Sequence, residues 1–142
     1  MGARVSLTLS EVRAAIGAQL RANLAREINV DVDGAGMRGP VVRLELDEVD
    51  YWGTFGAIGL ASVVFRIVVD PAGVDQSATR RLDDLLSVGT GNASSLMDAI
   101  YTDPTFDGVA ETVEIERVSV LPDTAQGEIV ARVHVRKQGA QA

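Results

Sequence analysis

The chain has 142 residues, no cysteine, and 13 basic against 20 acidic side chains, for a formal net charge of −7. A domain of this length buries roughly 70% of the surface its unfolded chain exposes, and a hydrophobic content of 46% argues against disorder. The composition excludes disulfides and thiolate metal sites. No apolar run approaches the ~18 residues of a bilayer span, and the acidic balance repels a phosphate backbone. Neither membrane insertion nor specific nucleic-acid binding is expected.

Val12, Ile16, Leu20, Leu24 and Ile28 recur every fourth residue and predict a first helix with one apolar stripe. Thr8 and Glu11 stand in capping-box spacing at its start. Arg4 leads into this polar helical segment, not into the apolar stretch of a secretory signal, so a cell interior is the expected place of assembly. Val30 and Val32 then alternate with Asn29, Asp31 and Asp33, the pattern of a short, half-exposed edge strand. Glycines at 34, 36 and 39 and Pro40 close it. Val42, Leu44 and Leu46 alternate with charged residues in a second strand.

Residues 48–56 read as a glycine-punctuated loop holding Tyr51, Trp52 and Phe55, three of the six aromatic residues in the chain. Residues 60–69 read as an interior strand, because Val63, Phe65, Ile67 and Val69 share one face while Val64 and Val68 line the other. A helix over residues 75–87 follows, with Asp75 as its cap and Ala78, Leu82, Leu85 and Leu86 on one side. A short helix capped by Asn92 carries Leu96, Ala99 and Ile100. Two strands complete the chain, at about 112–121 and 128–137, joined by a hairpin loop over residues 122–127. Val113 and Ile115 are out of phase with Val118 and Val120, which predicts a bulge near Glu116 and Arg117.

The expected fold is therefore a single α+β domain over residues 1–142. Its order is α-β-β-β-α-α-β-β, with a four- to five-stranded mixed or mostly antiparallel sheet, helices on one face, and a flexible tail from about residue 138.

The search for catalytic or metal chemistry fails at named positions. Asn29, Asp31, Asp33 and Gly34 open like a calcium loop, but Pro40 stands where that loop needs a bidentate carboxylate. An acidic edge strand is the simpler account. His134, the single histidine, lies on a strand face with Arg132 and Arg136 and has no group in the sequence pattern to orient it, so it reads as a surface residue. Gly89, Gly91 and Asn92 precede a helix but follow no strand and have no lysine nearby, unlike a phosphate loop. No catalytic residue, cofactor or metal is expected. The least ordinary feature is the aromatic segment, where Asp50, Tyr51, Trp52 and Phe55, with Met37 and Arg38 in the preceding glycine-rich turn, are candidate interface residues. Aromatic side chains supply large contact area at low entropic cost. The alternative is that the rings fold back over the sheet edge.

Taken in order, the strand from Val41 to Leu46, Asp50-Tyr51 with Thr54-Phe55-Gly56, the strand from Val63 to Val69, Arg81-Leu82-Asp83-Asp84-Leu85-Leu86, Leu96-Met97-Asp98-Ala99-Ile100 and the strand from Val113 to Val120 resemble the tail terminator and neck proteins of long-tailed bacteriophages. The resemblance covers about residues 41–137 and the first helix, in pattern and not in a diagnostic motif. It implies a structural virion subunit without catalytic residues, assembled in the bacterial cytoplasm into a hexameric ring at the head-proximal end of the tail. Such a ring ends polymerisation of the tail-tube protein and meets the head connector or stopper protein, while DNA passes through it without being specifically bound. A head-completion or tube subunit is the neighbouring alternative. From another class, the Asp31 and Asp33 carboxylates leave open a small metal- or ligand-binding module.

Overall fold

A computed structural model describes residues 7–32, 39–54, 57–71, 76–88, 95–121 and 126–135. Within them the chain forms α1 (Leu9–Asn23), β1 (Asn29–Asp31), β2 (Val41–Thr54), β3 (Ala57–Asp70), α2 (Gln76–Leu86), α3 (Leu96–Tyr101), β4 (Ala110–Leu121) and β5 (Gln126–Val135). The expected α+β order holds.

Helix α1 begins as its capping box predicts. The Thr8 hydroxyl accepts the Glu11 amide at 3.2 Å, and the Glu11 carboxylate accepts the Thr8 amide at 3.0 Å. It ends sooner than the fourfold row of apolar residues implies, because Leu24 turns to extended backbone with φ −97° and ψ 158°. Leu24 and Ile28 remain buried, the latter carried into the core by a turn in which its amide donates to the Ala25 carbonyl.

The five strands form one sheet in the order β1-β2-β3-β5-β4. β1 runs parallel to β2 over Val41 to Arg43, and the other neighbours are antiparallel. Val63, Phe65, Ile67 and Val69 of β3 and Ile129, Ala131, Val133 and Val135 of β5 face the helices and form the core with Val12, Ile16, Leu20, Leu82, Leu85 and Ile100. Side-chain period two delivers this face. The helix layer is tied to the sheet at close range, since a Cβ on Gly127 would lie 2.8 Å from Leu86 and 3.0 Å from Leu82. Gln19 fastens α1 to α3 by donating to the carbonyls of Ala99 and Ile100 at 3.1 and 2.7 Å, which satisfies acceptors that a helix end leaves open.

Several expectations change. Residues 48–54 are strand, not loop: β2 continues to Thr54 and pairs with a β3 that begins at Ala57. Asp31 is buried, not solvated, and stands beside Arg43 in the parallel register of β1 and β2. The described cap of α3 is Ser95, whose hydroxyl accepts the Asp98 amide at 3.1 Å. Asn92 lies outside the described residues, as do Asp75, Asp33, the glycines at 34 and 36, the hairpin residues 122–125 and the C-terminal tail. The bulge expected near Glu116 is present between Ile115 and Arg117.

The connection from α3 to β4 is held by Asp103. Its carboxylate accepts from the Thr105 amide and hydroxyl and from the Asp107 amide, and the Thr105 hydroxyl bond first, then the two amides, hold its pKa below the usual carboxylate range. Phe106 and Asp107 have positive φ, at 48° and 60°, and the Phe106 ring is buried in the core.

Candidate interaction site on the hairpin arm and the open sheet face

Among the described residues, strands β2 and β3 outrun the rest of the sheet. β5 pairs with β3 only from Ser62 to Val69, whereas β2 and β3 stay paired from Tyr51–Leu60 out to Thr54–Ala57. Among the described strands this outer portion pairs only with itself and forms a two-stranded arm. Two irregularities set its direction: Asp47 is the extra residue opposite the Phe65–Val64 step, and Ala61 is the extra residue between Leu60 and Ser62. Bulges bend a strand and increase its twist.

The arm separates the candidate aromatic residues. Tyr51 is 58% exposed and Ile58, on the neighbouring strand, is 65% exposed. Trp52 instead lies over its cross-strand partner Gly59, where an added Cβ would meet the indole at 2.5 to 2.7 Å. A strand glycine offers no side chain to pack, and a ring laid across it supplies the missing contact. Trp52 thus fits the folded-back alternative and Tyr51 the displayed one. Phe55, Met37 and Arg38 lie outside the described residues.

Asp50 belongs to the sheet face opposite the helices. The Ser62 hydroxyl donates to it at 3.1 Å, and Arg132 of β5 reaches it at 3.1 Å. Arg132 also donates to Glu116 of β4 at 2.9 Å and lies 3.6 Å from Glu48 of β2. One guanidinium therefore spans from β5 to both outer strands. Its proton is held more tightly than in a free arginine, chiefly through the bond to Glu116 and against the cost of desolvation. Beside it, Glu128 is a buried carboxylate that accepts from Arg66 Nε at 3.0 Å, Arg66 Nη2 at 2.6 Å and Arg117 Nη2 at 3.2 Å. The Arg66 bond is the main cause of its lowered pKa, opposed by burial. Val64, Val68 and Val130 are buried on this face, outside the core cluster that the described helices cover. Each sits between charged cross-strand neighbours, whose aliphatic stems shield it.

His134 does have a partner. Its Nε2 lies 2.8 Å from Glu114 on β4, a contact between strands that the sequence pattern could not supply. Arg132 and Glu128 were likewise absent from the expected site, because their partners are distant in sequence. Among the described residues, no group of three or more His, Cys, Asp or Glu side chains is arranged to hold a metal ion, and no helix is long and apolar enough to cross a membrane. The site can bind by shape, apolar contact and charge. The protein is thus an α+β sheet protein with a projecting hairpin and an ion-paired open face. No protein-family model matches the chain, and no curated protein matches it.

Proposed function

We propose that this chain is a structural ring subunit of the tail-terminator type, stopping the growth of a phage tail tube at its head-proximal end and joining it to the head connector. The observation that carries this reading is the hairpin arm, which displays Tyr51 and Ile58 beyond the body of the sheet. An exposed aromatic residue beside a branched aliphatic one on a paired, rigid element is the composition of a protein contact, not of a solvated turn. The open face supports the same reading. Its carboxylates at Glu45, Glu48, Asp50, Asp70, Glu114, Glu116 and Glu128 outnumber Arg43, Arg66, Arg117 and Arg132, so a channel lined by this face would let DNA slide past without holding it.

The test is mass photometry and negative-stain microscopy of the purified chain over a concentration series, alone and with preformed tail tubes. Rings, in solution or at one tube end, are the expected result. A monomer throughout, with tubes neither capped nor bound, would refute the reading. Binding along the tube wall or incorporation into it would favour a tube subunit instead.

A further inference from the structure

Apart from Val88, which follows α2, the exposed large apolar residues among the described ones are gathered at the two sides of the sheet. Leu46, Tyr51 and Ile58 lie on the β2–β3 side, while Val118 and Val120 lie on β4 and Tyr101 stands over it, its hydroxyl donating to the Val113 carbonyl. Both sides also offer strand edges. β1 pairs with β2 only as far as Arg43, so no described strand pairs with that side of β2 from Leu44 to Thr54. β4 is the terminal strand along its whole length. An exposed strand edge with apolar side chains is a template for another strand unless it is guarded. Much of the usual guard, charge, is turned inward here: Glu45 pairs with Arg66, Glu48 and Asp50 with Arg132, Glu114 with His134 and Glu116 with Arg132, while Asp47 of β2 and Glu111 of β4 stay exposed.

The geometry points to a head-to-tail contact in which the β2 edge of one copy adds to the β4 edge of the next. This deepens, and rests on, the ring reading. β2 and β4 run in opposite directions within the sheet, because three antiparallel steps separate them. A neighbour in the same orientation therefore presents β2 antiparallel to β4, and the alternation continues from copy to copy. Contacts between two different surfaces generate rings or filaments, whereas a surface that mates with itself stops at a dimer.

The exposed apolar side chains set the register. Within one copy, Leu46 lies level with Ile115 through the row Leu46–Phe65–Ala131–Ile115. Moving the neighbour by two residues sets its Leu46 opposite Val118 and its Leu44 opposite Val120, all on the helix side. The same step brings its Asp47, exposed at the β2 bulge, opposite the exposed Arg117, but also its Glu48 and Asp50 opposite Glu116 and Glu114, so the apolar match is opposed by two like-charge pairs. A stagger between strands is also what closure of a sheet into a barrel requires. The contact is small. Eleven residues at ~3.4 Å give an edge of about 37 Å, and a layer ~10 Å thick then covers roughly 370 Å² per partner, under half of the ~800 Å² in a standard interface. Pairs of copies associate weakly, and closure or a tube end completes the ring.

The absence of cysteine makes the contact testable by oxidation of Leu46→Cys and Val118→Cys, both at exposed positions. The expected result is a disulfide-linked dimer when the two single variants are mixed, none from either alone, a ladder of linked copies from the double variant, and weaker linking when Val120→Cys replaces Val118→Cys. Linking of either single variant to itself would overturn the head-to-tail contact in favour of a two-fold one. Equal linking from Val118→Cys and Val120→Cys would overturn the register. Rings seen by microscopy without any of these links would overturn the edge assignment and leave the ring reading standing. No oligomer and no link at any concentration, with or without tubes, would overturn both.

Discussion

Replacing Glu128 by Gln tests whether the ion pairs of the open face stabilise the sheet. Glu128 is almost wholly buried, with a side-chain exposure of 6%, while its partners Arg66 and Arg117 are 40% and 64% exposed. Hydrogen bonds to a charged group contribute about 1.5–3 kcal/mol. The amide of Gln keeps one acceptor, and the two guanidiniums regain water, so the expected loss is about 1–2 kcal/mol after that screening. In a chain of this size it lowers Tm by about 3–7 °C. The sign of the pH dependence follows from linkage. The folded Glu128 carboxyl is held below its unfolded value by the Arg66 bond, so its contribution is complete above about pH 4.3 and is lost as pH falls through the folded value. Urea titrations of both proteins from pH 7 down to pH 3 should therefore show a gap that is full at neutral pH and narrows below about pH 4. A gap under ~0.3 kcal/mol at pH 7, or one that does not narrow on acidification, would refute the reasoning.

Tyr51→Ala should leave Tm unchanged within the ~0.5 kcal/mol typical of surface substitutions while weakening assembly in mass photometry; Trp52→Ala, which uncovers Gly59, should lower both, and equal effects from the two variants would deny their different placements. Phe106→Ala removes a ring that is 2% exposed and should cost about 3–5 kcal/mol in chemical denaturation, with a loss below 1 kcal/mol placing that ring outside the core. Deleting Asp47 removes the extra residue of the β2 bulge and should leave a folded sheet, by circular dichroism, whose arm points elsewhere and whose assembly is lost. Unaltered assembly would show that the bulge does not aim the arm.

The legible features of the fold were local ones. The Thr8–Glu11 box needs only three residues of sequence, and the phase change between Ile115 and Val118 is visible within one strand. The arm was not legible, because Asp47 and Ala61 break the period-two pattern of β2 and β3 and two glycines punctuate the tip. Gly53 and Gly59 read as turn residues until Trp52 is seen lying across Gly59 from the other strand. Within the candidate site, Tyr51 and Asp50 could be named from composition, but Arg132 and Glu128 could not. Arg66 and Glu128 are 62 residues apart, and Arg132 reaches Asp50 over 82. The alternating charges of each strand become ion pairs only once the strand order is known.

That order also accounts for the position of the irregularities. β3 and β5 pair without interruption from Ser62–His134 to Val69–Gly127, while the flanking strands each take up an extra residue at the same row: Asp47 next to Leu46 in β2 and Glu116 next to Ile115 in β4. A bulge on each side of a regular central pair adds twist to the outer strands and leaves the middle ladder intact. Arg132 lies one pair beyond this row in β5, bonded to Glu116 at one bulge and close to Glu48 beside the other. It holds both bent strands against the straight pair. The same side chain thus draws the edge carboxylates inward and ties down both bulges, so the charge arrangement and the irregularity of the two flanking strands meet at one residue.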